Sequence, residues 1–107
     1  MYFQNTMYVI FKMMGLYVRS EYHTSNGRID IVLYTDNYIY IIELKRDSSP
    51  ETALRQIEEK GYAKPFQASG KEIVELGINF SSQTRTIDGW QVKELPGAHQ
   101  QQTEKLS

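Results

Sequence analysis

A chain of 107 residues is long enough for one compact domain and too short for a second lobe. It holds no cysteine, which excludes disulfides, thiolate metal sites and cysteine nucleophiles. The formal charge of −1 excludes a surface that grips nucleic acid by net charge, so any such contact needs a local patch or another domain.

In chain order, Phe3, Met7, Ile10, Phe11 and Met14 fall at helical spacing, and Gly15 stops the pattern. The spacing predicts an amphipathic helix over 3–14. Residues 16–24 read as a strand, and Ser25-Asn26-Gly27 as a turn. Residues 28–35 (RIDIVLYT) and 38–46 (YIYIIELKR) read as two strands, with Asp36-Asn37 as a two-residue hairpin turn. Both carry apolar residues on both faces, as central strands do. Ser49 is a good N-cap, Pro50 suits the first turn and Glu51 the positive helix end. The helix they open buries Ala53, Leu54 and Ile57 and ends near Gly61. Residues 62–70 read as a loop or a broken continuation of that helix. Residues 71–80 read as a strand with Gly77 a candidate bulge, and residues 84–94 as a last strand or hairpin. The order α-β-β-β-α-β-β implies a mixed sheet with helices packed on it. The expected division is one domain over 1–95 and a polar, disordered tail over 96–107.

The hairpin turn sets a register. With Asp36 and Asn37 at its centre, Thr35 lies opposite Tyr38, and Asp30 opposite Glu43. Opposed residues share a face with Cβ atoms about 5 Å apart. Lys45, two residues beyond Glu43, points to the same face. Two opposed carboxylates repel, so the pair needs a cation. Lys45 supplies one if the trio is a structural ion cluster. A divalent ion supplies it if the trio is a site, since magnesium takes one or two carboxylates plus water and phosphate oxygens. The pattern leaves both readings open.

The ordered motifs carry a resemblance. Gly27-Arg28-Ile29-Asp30, then Ile42-Glu43-Leu44-Lys45, then Ala53-Leu54-Arg55-Gln56-Ile57, Gly61-Tyr62 and Gly77-Ile78-Asn79-Phe80-Ser81 follow one another at characteristic spacings. Together they resemble the PD-(D/E)XK nuclease superfamily. Within it, they are similar to the nuclease-like domain found C-terminal to AAA-ATPase-like domains in bacterial proteins. The resemblance covers about residues 3–92. It implies an α/β fold: a restriction-endonuclease-like αβββαβ core with a mixed central sheet flanked by helices. It implies metal-dependent phosphodiester hydrolysis of nucleic acid, DNA first, with Mg²⁺ or Mn²⁺ as cofactor. Asp30 and Glu43 then correspond to metal ligands, with the backbone carbonyl of Leu44 adding a third. Lys45 corresponds to the lysine that positions the attacking water and steadies charge. Gln56 corresponds to the glutamine on the helix behind the site; a core-edge amide tying helix to sheet is its plainer role.

One departure stands out. Many members carry a glutamate on the first helix a few residues before an aromatic-Gln pair. Phe3-Gln4 matches the pair, so the acid falls before Met1. This suggests a chain separated from an upstream domain. Glu21 is a candidate substitute, although the turn at 25–27 leaves its register open and a solvent-facing role fits as well. Tyr62 is a candidate contact for the site or a phosphate, with packing as the ordinary role of a tyrosine. Arg28, Lys45, Arg46, Arg55, Lys60 and Lys64 would form a phosphate-contact rim if clustered, and scattered solvated charges otherwise.

The remaining signals exclude more than they suggest. His23 and His99 have no partner at ligand spacing. There is no Gly-rich phosphate loop and hence no ATP site. Trp90 reads as a core anchor, the favoured role, or as an exposed stacking platform. No apolar run approaches the roughly 18 residues of a membrane span, and the start lacks a basic leader. With the missing cysteines, this agrees with a cytoplasmic protein. Two further functions compete with the enzyme. One is an inactive nuclease-fold module that binds nucleic acid or a partner ATPase. The other is a homodimeric scaffold whose ion cluster is structural.

Overall fold

The β-branched and aromatic residues between 27 and 46 suit strands covered on two sides, and they form the centre of a five-stranded sheet. The computed structural model describes residues 7, 8, 12 and 17–95. The strands are β1 (Tyr17–Thr24), β2 (Gly27–Tyr34), β3 (Tyr38–Arg46), β4 (Glu72–Ser81) and β5 (Thr86–Leu95), in that spatial order. Helix α1 (Pro50–Glu59) and a short 3-10 helix (Lys64–Ser69) connect β3 to β4. That crossover makes β3 and β4 parallel, while the other neighbours are antiparallel. The expected mixed sheet, and the expected element order from the first strand onward, are present. Met7, Tyr8 and Lys12 are helical. The rest of the expected helix over 3–14 and the expected tail over 96–107 lie outside the described residues.

Apolar side chains cover both faces of the sheet. On one face Ile29, Ile39, Ile41 and Ile73 pack with Ile57 of α1 and with Tyr62 and Phe66 beyond it. On the other, Ile31, Leu33, Ile42 and Ile78 pack together, with Met7 and Tyr8 against them. Each fully buried isoleucine is worth about 2–5 kcal/mol against alanine. Ile57 at 0% exposure therefore anchors α1 firmly. Ser49 caps the helix, its hydroxyl accepting the Thr52 N–H at 3.1 Å.

Two sequence expectations need correction. Gly77 is not a bulge. It pairs regularly with Glu43 on one side and Gln91 on the other. A glycine is required there because α1 sits directly on it. A Cβ would lie 2.4 Å from the Pro50 carbonyl oxygen and 2.8 Å from the Leu54 nitrogen. The irregularity falls further along, between the pairs Ile78↔Trp90 and Phe80↔Ile87. There Asp88 and Gly89 face Asn79 alone, and Gly89 takes a φ of 119°. Trp90 is not in the core either, at 66% exposure. It sits on edge strand β5, where neighbouring Val92 is also exposed.

The contact at Gly77 is between backbones, so no side-chain rotation relieves it. Gly77→Ala is expected to lower stability by about 1–3 kcal/mol, the usual cost of overpacking, read as a fall in the urea midpoint. An unchanged midpoint would show that α1 is not seated as described.

Candidate active site

The hairpin register is the expected one. Thr35 N–H donates to the Tyr38 carbonyl at 2.9 Å, closing the Asp36-Asn37 turn. The pairs Tyr34↔Ile39 through Ile31↔Ile42 follow. One further step puts Asp30 across from Glu43, and at that step regular pairing stops. The Leu44 N–H donates instead to Asp30 Oδ2 at 2.9 Å. A side-chain carboxylate thus takes the place of a backbone acceptor, which fixes Asp30 against β3 beside Glu43.

Glu43 is 4% exposed. Its side chain hydrogen-bonds Asp30, and its Oε2 has no partner. Burial, then the hydrogen bond it donates to Asp30 and the Asp30 charge, push its pKa up to about 9; Lys45 and Arg28 pull the other way. Glu43 therefore stays protonated near neutral pH. A buried oxygen with no hydrogen bond is costly, and a cation at this point would satisfy it.

Lys45 is half-buried on the Glu43 face, and its Nζ donates to Gln56 Oε1 at 2.5 Å. Gln56 is held in turn by the seating of α1 on Gly77 and by Ile57. The loop between β3 and α1 is tied down as well. Asp47 N–H donates to the Phe80 carbonyl at 2.9 Å, and Ser48 N–H to Asn79 Oδ1 at 2.9 Å. Ser82 donates to both Asp47 carboxylate oxygens and holds that carboxyl below its ordinary range. Asn79, 3% exposed, is a positioning residue that sequence reasoning passed over. Its signal is a lone amide between Ile78 and Phe80 in an apolar strand.

The other candidates are placed as follows. Arg28 and Glu21 pair with each other at 3.2 Å, both more than half exposed. Arg28 is close enough to Glu43 to lower its pKa. Tyr62, 2% exposed, packs in the core. Its hydroxyl lies under Gly27, where a Cβ would be 2.6 Å away. Arg46, Arg55, Lys60 and Lys64 are exposed, Arg46 lying 3.8 Å from Asp47. His23 is exposed on β1, and His99 lies outside the described residues. Asp30, Glu43, Leu44, Lys45 and Gln56 thus come together, Glu21 and Arg28 flank them, and Tyr62 supports the turn from beneath.

Among the described residues no three His, Cys, Asp or Glu side chains converge on one point. Two carboxyls still fit magnesium, which takes one or two carboxylates, keeps several waters and needs no full protein cage. The orphaned Glu43 oxygen is the feature that such an ion would complete.

Two carboxyls, a lysine and a supporting glutamine at the end of a parallel crossover define a nuclease-type α/β fold. Residues 1–90 match the PD-(D/E)XK nuclease superfamily, and the chain belongs to that family. It is also similar to the uncharacterized protein in the vnfD 5′ region of Azotobacter chroococcum mcd 1, at 38% identity over 96 residues. That alignment takes in 88% of this chain and 19% of the relative, so the chain spans about a fifth of that protein's length.

The Glu43 shift gives a pH signature in metal-free protein. The folded pKa, about 9, lies above the 4.5 of a glutamate free in water. Its stabilising contribution is therefore complete below 4.5 and is lost as pH rises toward about 9. Glu43→Gln keeps the shape without the ionisation. In chelator, the melting temperature of this variant minus that of wild type should grow steadily across that window. A difference that stays flat with pH would contradict the buried, protonated Glu43.

Proposed function

We propose that this protein hydrolyses phosphodiester bonds of nucleic acid, with DNA as the first substrate to test and Mg²⁺ or Mn²⁺ as cofactor. The observation that carries the reading is the buried, unpartnered oxygen of Glu43 beside Asp30. Asp30, Glu43 and the Leu44 carbonyl are the groups assigned to hold the ion. When bound, a divalent ion polarises a phosphoryl oxygen and lowers the pKa of a coordinated water. Lys45 stabilises the charge that develops on the phosphate, and Gln56 keeps its ammonium group aimed. Arg28, exposed beside the carboxyl pair, is suited to a phosphate oxygen.

The charge of −1 favours a grip on the substrate shared with another domain or protein; the partner we propose, from the resemblance to nuclease-like domains that follow AAA-ATPase-like domains, is an AAA-ATPase-like one in a cytoplasmic setting. The same charge supports a second reading, an inactive module that binds nucleic acid or that partner. Metal separates the two. In the enzyme, Mn²⁺ at a hundredfold over its Kd adds about 2.7 kcal/mol of stability, and Asp30→Ala removes the gain. Cleavage of a DNA substrate in Mg²⁺ or Mn²⁺ should fall by roughly 10²-fold or more in Asp30→Ala and Lys45→Ala. Equal cleavage by wild type and both variants, or no metal-dependent stabilisation, would leave only the binding module.

A further inference from the structure

We infer that Glu21 is a third carboxylate of the metal site, held away by Arg28 until a phosphate takes Arg28 for itself. The inference rests on the metal-site reading above and adds a residue and a trigger to it.

The backbone singles Glu21 out. The pairs Ser20↔Ile31 and Tyr22↔Ile29 flank a skipped row in which Glu21 faces Asp30. The same row is the one where β2 stops pairing with β3. Glu21, Asp30 and Glu43 therefore lie in line across three adjacent strands. Glu21 also has a φ of 54° in the middle of a strand. A non-glycine residue rarely adopts that conformation, and such outliers gather where function holds them.

The partner of Glu21 explains why three acids do not converge in the metal-free protein. Arg28 Nη1 holds Glu21 Oε1 at 3.2 Å. Both side chains are more than half exposed, so the pair is screened and easily exchanged. Arg28 lies within electrostatic reach of Glu43, the residue whose buried oxygen lacks a partner. A guanidinium binds a phosphate through two parallel hydrogen bonds and prefers it to one oxygen of an exposed carboxylate. A phosphodiester reaching Arg28 thus releases Glu21 next to Asp30, where a bound ion needs negative charge. The full acid set then assembles only with substrate in place.

Mn²⁺ binding by calorimetry, without nucleic acid, tests this on the whole chain. Glu21→Gln removes the carboxylate and Arg28→Gln mimics its release. Arg28→Gln is expected to tighten Mn²⁺ binding several-fold, and the double variant to lose that gain. Glu21→Asn takes left-handed backbone more readily. It should raise the melting temperature yet bind Mn²⁺ no better than Glu21→Gln in the Arg28→Gln background. If all these variants bind Mn²⁺ as wild type does while Asp30→Asn binds none, Glu21 is structural and the inference fails alone. If wild type binds Mn²⁺ no better than Asp30→Asn, the metal-site reading fails and takes the inference with it.

Discussion

Burying the Glu43 carboxyl is the constraint around which the chain is arranged. An ion taken from water into a protein interior costs several kcal/mol even after relaxation. Here that cost is avoided by keeping Glu43 protonated and hydrogen-bonded to Asp30, and nearby Lys45 and Arg28 offset part of it. One oxygen is still left without a hydrogen bond. A chain selected for stability alone would do better with an apolar residue between Ile42 and Leu44. The unsatisfied carboxyl is strain of the kind that functional sites retain.

Two devices keep Asp30 and Lys45 beside it. The first is local. The sheet yields one rung of its ladder, so the Leu44 N–H binds the Asp30 side chain. The second runs through the crossover. Because residue 77 lacks a side chain, α1 can lie against β4 with backbone in contact. Contacts at its β5 side, Gln91 to Glu51 at 3.1 Å and Lys93 to Glu58 at 3.0 Å, stop the helix from rolling. Gln56 then meets Lys45 on the opposite flank. A glycine in one strand thereby sets the aim of a lysine in the next.

Much of this was legible in the sequence, and what was not has a physical reason. The register of Asp30 and Glu43 could be counted because a two-residue turn fixes pairing, and strands apolar on both faces announce the centre of a sheet. The helix start could be read from Ser49 and Pro50, whose roles are local. Gly77 was misread because a bulge and a close helix approach demand the same residue. The distinction depends on what lies above the strand. Trp90 was misplaced for a related reason. Its size suggests burial, but β5 is an edge strand and its outer part lacks cover. The left-handed backbone of Glu21 leaves no trace in composition, since glutamate is not a residue that favours it. Tyr62 shows the converse. The Gly-Tyr signature was legible, but its job of filling the space beneath Gly27 needed the tertiary contact.

The pairing of the two basic groups nearest the carboxyls is unequal. Arg28 faces a carboxylate, whereas Lys45 faces an amide. A glutamate at 56 would fill the same space as Gln56 but would neutralise the ammonium and add a third negative charge behind a pair that already cannot ionise freely. The amide accepts the same hydrogen bond and leaves the charge of Lys45 intact. With Glu43 pushed up to about 9, the metal-free site is also less negative than its two carboxyls suggest. An anionic phosphate thus meets a lysine that is oriented but not neutralised, in a chain whose overall charge is −1. The local field, and not the net charge, is what the proposed phosphodiester substrate would meet at this end of the sheet.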